Sequence, residues 1–323
     1  MGTTKLRDLS FDAIKGLLIL LVILGHAINI EYQEHSWDNL AFHIIYSFHM
    51  PLFIFISGMF VVSSFKKSFR TVICTKSKRL ISPTIIFTCL LILLYVSSQR
   101  YVENGLGVKV LIQLTLSYWY LICIFSLSLL LYIFINGGGI TRSVFLILYC
   151  VALALCYKFP IIQVIDCQII RMLPCFSLGV AYKLWDKSNY KYSKQLSYFL
   201  LSISCIVIIL NRYNYGMSLT DFPPIIRIMD GLSSCCVSFC VLKKILGRTF
   251  AKSKLLVSIG QVSLAFYLYH LIIYNYFVYN NYFQNSNIAF SIILFLMILL
   301  SSVVVYLFFS KILPDKYKFL LGI

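Results

Sequence analysis

The chain is built from apolar runs of the length a helix needs to cross a bilayer, about 20 residues at 1.5 Å each. Ten such runs are legible: Leu9–Ile30, His43–Ser63, Pro83–Ser98, Val110–Ile135, Val144–Phe159, Cys167–Leu184, Leu196–Leu210, Ile225–Val241, Val257–Tyr279 and Ile288–Phe309. Inside lipid no water satisfies the backbone, so each run must be a helix that closes its own hydrogen bonds. Hydrophobic residues make up 60% of the chain and charged residues 12%, against about 25% charged in a soluble domain. A soluble core cannot hide that much apolar surface. The expected fold is therefore all-α: a polytopic membrane protein of about ten transmembrane helices, with residues 1–323 forming a single membrane-embedded domain.

The basic residues orient it. Of the 28 Lys and Arg, 21 fall in one alternating set of segments: the N-terminal Lys5 and Arg7, the stretch Lys66–Arg79, Arg142, Lys183–Lys194, Lys243–Lys254, and the tail from Lys311. The other set holds five: Arg100, Lys109, Lys158, Arg212 and Arg227. Cytoplasmic loops collect Lys and Arg, so both termini are expected in the cytoplasm. The same placement accounts for the net charge of +17 without a nucleic-acid partner; the expected surroundings are membrane lipids. The short basic start followed by Leu17–Leu24 imitates a signal peptide, but it lacks an A-x-A site and runs on past Gly25, so it is expected to be a retained first helix. The eleven cysteines, among them Cys89, Cys123, Cys150, Cys205 and Cys240, lie mostly in apolar runs without a C-x-x-C pair. They read as small buried side chains, with no disulfide framework and no metal expected.

Charge inside a membrane costs about 2.5–3.5 kcal/mol at a helix centre on insertion scales, which singles out Asp12, Lys15, His26, His49, Arg171, Arg227, Asp230 and His270. Lys15 and His26 are 11 residues apart, close to three helical turns, so both face one side about 16 Å apart. A cation at the inner mouth holds phosphate, and an imidazole deeper on the same face takes a proton from a hydroxyl. Each also has a plainer reading, a snorkelling lysine and a packed histidine. His49 and His270 fall toward the outer half of the second and ninth spans. Arg227 and Asp230, three apart, are spaced to pair at an interface. Tyr118-Trp119-Tyr120 suits either an interfacial aromatic belt or a sugar-stacking platform.

Several stretches now line up: Phe11-Asp12-Ala13-Ile14-Lys15-Gly16 with Leu24-Gly25-His26; Phe48-His49-Met50-Pro51-Leu52-Phe53 through Ser57-Gly58; Lys78-Arg79-Leu80 with Pro83; Trp119-Tyr120-Leu121; Arg171 through Phe176 and Gly179; and Tyr267-Leu268-Tyr269-His270. In that order they resemble the acyltransferase-3 family of bacterial membrane acyltransferases, and within it the fucose 4-O-acetylase-like proteins that decorate cell-surface polysaccharides. Many members of the wider family have Arg where Lys15 stands. The resemblance implies an acetyl-CoA donor reached from the cytoplasm, a saccharide acceptor reached from outside, and a place in the bacterial inner membrane. On that basis His26 is the expected general base, with Lys15 and Asp12 completing the catalytic set. Lys15, Arg79, Lys78 and Arg70 are expected at coenzyme A, and His49, Trp119, Tyr120, Arg171 and His270 at the acceptor. The competing readings are a transporter or flippase of a lipid-linked sugar, which would favour an internal repeat that the sequence does not show, and a non-catalytic subunit of a polysaccharide assembly system.

Overall fold

A computed structural model describes residues 8–158, 166–186, 224–245, 249, 252–280 and 287–322. Every regular element among them is helical. In chain order these are α1 (Leu9–Tyr32), α2 (Leu40–Val61), α3 (Phe69–Lys76), α4 (Ser82–Val96), α5 (Val108–Leu116), α6 (Trp119–Asn136), α7 (Gly139–Lys158), α8 (Asp166–Asp186), α9 (Pro224–Cys240), α10 (Lys254–Gln261), α11 (Ser263–Tyr279) and α12 (Ile288–Ile312). Among the described residues five stretches are long and apolar enough to cross a membrane, Leu9–Tyr32, Leu40–Lys66, Phe69–Val96, Trp119–Asn136 and Ile288–Ile312, and α10 with α11 makes a sixth if the bent pair is one span. The expected seventh span, Leu196–Leu210, lies outside the described residues.

Three segments depart from the sequence reading. The basic stretch Lys66–Arg79 is a loop only at its start. Ser68 caps α3 by accepting from the Thr71 amide, and a π-helical turn over Ser77–Ile81 joins α3 to α4, so Arg70, Lys78 and Arg79 sit on helix. The fourth run breaks at Ser117–Tyr118, because Tyr118 turns fully inward and its hydroxyl donates to the Leu268 carbonyl at 3.2 Å. The ninth run is two helices bent by 77° around Val262.

Apolar side chains gain little from leaving lipid, so helices there associate through close packing of small residues and polar contacts. α1 is deeply enclosed, with Ile14, Leu18, Ile19, Ile23, Ala27 and Ile28 fully buried. It packs on α10, α12, α2 and α11, while α2 packs on α8 and α9. Two backbone-to-backbone seams make this possible. Gly16 of α1 faces Leu256 of α10, and Gly260 of α10 faces the Asp12 carbonyl of α1. Likewise Gly58 of α2 faces the Phe176 carbonyl of α8, and Gly179 of α8 faces that of Phe55. At all four glycines a Cβ would overlap opposing backbone. Gly58→Ala is therefore expected to cost about 1–3 kcal/mol by overpacking. A thermal melt of the purified protein checks it, with Gly138→Ala, where a Cβ meets nothing within 4 Å, as the neutral control. α12 buries only one stripe, Ser291, Leu294, Ile298 and Ser302, and turns its remaining apolar surface outward.

The start of α1 is clamped from a distant part of the chain. Asp8 caps the helix, accepting from the Ser10 amide at 3.0 Å and the Ser10 hydroxyl at 2.6 Å. Lys243, just past α9, bonds both Asp8 and Ser10 and lies 3.9 Å from the Phe11 ring centroid. Burial alone would raise the Asp8 carboxyl, but hydrogen bonds from Lys243 and Ser10 outweigh it and hold it below its ordinary value. A depressed carboxylate stabilises the fold above its unfolded titration, and that contribution disappears as pH falls through the folded value. Asp8→Asn is thus expected to lower the melting temperature at neutral pH, with the gap to the parent closing at strongly acid pH.

Candidate active site

Toward its second end α1 meets α11 through His26 and Asn29. His26 lies nearly two turns before the end that α1 presents to the Gln33–Asp38 turn, and α11 lays two rings against it: His270 at 5.3 Å and Tyr274 at 4.6 Å between centroids. His270 is fully buried and His49 nearly so, at 3% exposure. His49, from α2, meets the Tyr46 ring at 4.8 Å, and Tyr46 lies against Gly25, the residue before His26. All three histidines are thereby gathered in one place from three helices. Pro51 inside α2 leaves the turn before it short of one amide donor. There the His49 ring bonds the Ile45 carbonyl through Nδ1 at 2.6 Å. His270 bonds the Phe266 carbonyl in the same way at 2.8 Å.

From His270 an aromatic path leads toward α6. Tyr267 lies 5.6 Å from His270 and 5.1 Å from Tyr120, whose hydroxyl meets the Ser57 hydroxyl at 3.1 Å. Trp119 stands edge-on to Tyr120 at 6.4 Å and is half-buried. Tyr118 and Tyr120 are interior residues, so the interfacial-belt reading does not hold for them. The Arg79 charge reaches Tyr120, although the Arg79 side chain, like those of Lys78 and Arg70, is exposed. Arg171 is half-buried on α8, the helix that packs against α2 and α6. Asp230 is buried, while the Arg227 side chain falls outside the described residues.

Lys15 is at the opposite end of the same helix. Its Nζ pairs with Asp12 at 2.8 Å and faces the Phe60 ring at 5.3 Å. Its side chain keeps 20% exposure while that of Asp12 keeps 3%. The i,i+3 spacing makes the pair local to α1, and the glycine seam with α10 fixes the backbone beneath it.

The other end of α1 closes through residues not singled out from sequence. The Tyr274 hydroxyl donates to Asn29 at 2.8 Å, the Asn29 amide donates to Ser36 at 3.1 Å, and the Ser36 hydroxyl donates to the Gln33 carbonyl at 2.6 Å. Gln33 holds φ 46° and ψ −116°, a sparsely populated backbone for a residue with a Cβ, costing about 1–3 kcal/mol. Trp37, Phe42 and Tyr46 pack as an aromatic cluster beside it, and Tyr46 also meets His49 edge-on at 4.8 Å. Spacing alone would have found two of these residues, since Asn29 is three beyond His26 and Tyr274 four beyond His270. Among the described residues no group of three or more His, Cys, Asp or Glu side chains is arranged to hold a metal ion.

Residues 8–307 match the acyltransferase-3 family model, described as an acyltransferase domain. Nodulation protein NolL of Mesorhizobium japonicum is 43% identical over 93 residues, 28% of this chain and 25% of that protein. Nodulation protein NolL of Sinorhizobium fredii is 38% identical over 90 residues, 27% of this chain and 24% of that protein. The matched stretch spans about a quarter of the length of these curated relatives. No solved structure matches the chain.

Proposed function

The chain belongs to the acyltransferase-3 family, and from that premise we propose that it is an integral-membrane O-acetyltransferase. It moves an acetyl group from cytoplasmic acetyl-CoA to a hydroxyl of a cell-surface saccharide. The observation that carries this reading is the buried histidine cluster around His26 on the helix whose other end holds the Lys15–Asp12 pair. A membrane protein has little reason to gather three imidazoles, two of them buried, unless a proton moves there.

The whole chain acts as one domain of about ten spans in the bacterial inner membrane, with both termini in the cytoplasm. The long-range contacts support this sidedness. Lys243 bonds Asp8 and the Tyr132 hydroxyl bonds the Lys67 carbonyl, each joining segments assigned to the cytoplasmic set. Tyr274 reaches Asn29 at the other end, where the Arg100 charge is felt.

In the proposed reaction Lys15 meets a coenzyme A phosphate as a point charge, held by Asp12. Arg79, Lys78 and Arg70 line the same approach, and the thioester reaches up along α1 toward His26. The His26 imidazole takes the proton of the acceptor hydroxyl. The oxygen attacks the thioester carbonyl, the carbon–sulfur bond breaks, and the leaving thiolate recovers the proton from the imidazolium. The products are an acetyl ester and free coenzyme A. His49, Tyr120, Trp119 and Arg171 serve the acceptor side. The neighbourhood of a fucose 4-O-acetylase-like enzyme fits the same residues, with a capsule, O-antigen or lipid-linked glycan as acceptor.

The bend at Val262, like the buried histidines and the basic inner face, also suits a transporter. There, however, broken helices come as a repeat-related pair around the substrate, whereas α10 is packed by Gly260 on Gly16. Surface polysaccharide from cells with and without the protein decides: ester-linked acetyl signals in the NMR spectrum only with the protein support the enzyme. Loss of the polymer itself on deletion would favour transport or assembly. For the donor site, Lys15→Gln is expected to raise the KM for acetyl-CoA by about tenfold or more, the weight of one charge-assisted hydrogen bond, with a smaller change in kcat. Initial rates of coenzyme A release check this.

A further inference from the structure

The histidine cluster contains two sealed nitrogens that the mechanism above leaves unused. His26 Nδ1 and His270 Nε2 are both buried and have no hydrogen-bond partner among the described residues, and their rings lie 5.3 Å apart with a 40° tilt. The proton on His270 is fixed by its own bond. The Phe266 carbonyl can only accept, so His270 Nδ1 must carry the hydrogen it donates there at 2.8 Å. A neutral His270 is then left with a bare lone pair on Nε2. A lone pair sealed in a membrane interior needs a donor, and an unpaired one costs about 1–3 kcal/mol. The complementary group is next to it. If His26 carries its hydrogen on Nδ1, each orphan atom satisfies the other once the rings turn toward one another.

We propose that His270 is a positioning residue: its Nε2 accepts a hydrogen bond from His26 Nδ1–H and so fixes the His26 tautomer that presents Nε2 as the base. This deepens the proposed acyl transfer and rests on that reading for its catalytic consequence. The chain of donors runs from His26 Nδ1–H to His270 Nε2, and from His270 Nδ1–H to the Phe266 carbonyl. A carboxylate orients a catalytic histidine in the same manner in the serine-protease triad. Here a neutral imidazole does so without placing a negative charge in lipid. Tyr274, whose ring is tilted 51° against His26 at 4.6 Å and whose hydroxyl is tied to Asn29, limits how far the His26 ring can swing away. His270 is thereby moved from the acceptor site, where sequence had put it, to a position behind the base.

The chain has five histidines, few enough for ring nitrogens to be assigned by single substitution in 15N-histidine NMR of the full-length protein in lipid nanodiscs. The expected result is His26 as the Nδ1–H tautomer in the parent protein. In His270→Phe that preference is lost, and kcat for coenzyme A release falls tenfold or more with little change in KM. His270→Gln, whose side-chain carbonyl can accept, restores the tautomer and part of kcat. A parent His26 protonated on Nε2, or a tautomer unaltered in His270→Phe, overturns the proposal, and the first of these needs no variant that must fold. The outcome is separable from the fate of the base assignment. An active His26→Ala protein would refute His26 as base while leaving the hydrogen bond measurable.

Discussion

His26→Ala, at equal abundance in the membrane, is expected to reduce coenzyme A release in the presence of saccharide by roughly 10²–10⁴-fold, the usual range for a general base. Most of the loss should fall on kcat, because the imidazole acts on the hydroxyl proton in the transition state and contributes little to holding either substrate. The fold should survive, since His26 is only partly buried and α1 stays anchored by its fully buried apolar side chains and its glycine seam with α10. Parallel melting curves check that point. Full activity in a well-folded variant would end the assignment of His26 as base.

The second large effect is structural. Gly260→Val is expected to abolish accumulation of folded protein, or to leave it inactive. A Cβ at Gly260 would fall on the Asp12 carbonyl and crowd the Gly16 amide, and neither is a side chain that can move aside. Separating α1 from α10 loosens the helix that carries both Lys15 and His26. Because lipid already solvates the apolar faces, no hydrophobic driving force pulls the helices back together. Size-exclusion chromatography in detergent, with Gly107→Val as a position where a Cβ meets nothing within 4 Å, distinguishes this from a general intolerance of valine.

The helical architecture was legible because lipid leaves the backbone one option for each apolar run. Leu9–Ile30 against the observed Leu9–Tyr32, and Ile288–Phe309 against Ile288–Ile312, differ only at their ends. The breaks were not legible. Gly260, two residues before the bend at Val262, reads equally well as a packing glycine inside one span, and Tyr118 looks like any interfacial aromatic until its hydroxyl is seen on the Leu268 carbonyl. Both depend on a partner far away in sequence. At the candidate site, periodicity relates residues on one helix, such as Lys15 and His26. It does not say that α11 will lay His270 and Tyr274 against α1. The exposed Arg70, Lys78 and Arg79 were read as a loop because basic residues say where a segment lies and not what shape it takes.

The central claim is transfer from a cytoplasmic donor to a saccharide reached from the other face. Inside-out membrane vesicles containing the protein and its saccharide, supplied externally with acetyl-CoA labelled in the acetyl group, test it most directly. The account predicts label in ester linkage to the sugar, released by mild base and absent with His26→Ala. Label that reaches the saccharide only when acetyl-CoA is enclosed within the vesicles, or not at all while the sugar still moves across the membrane, would contradict it.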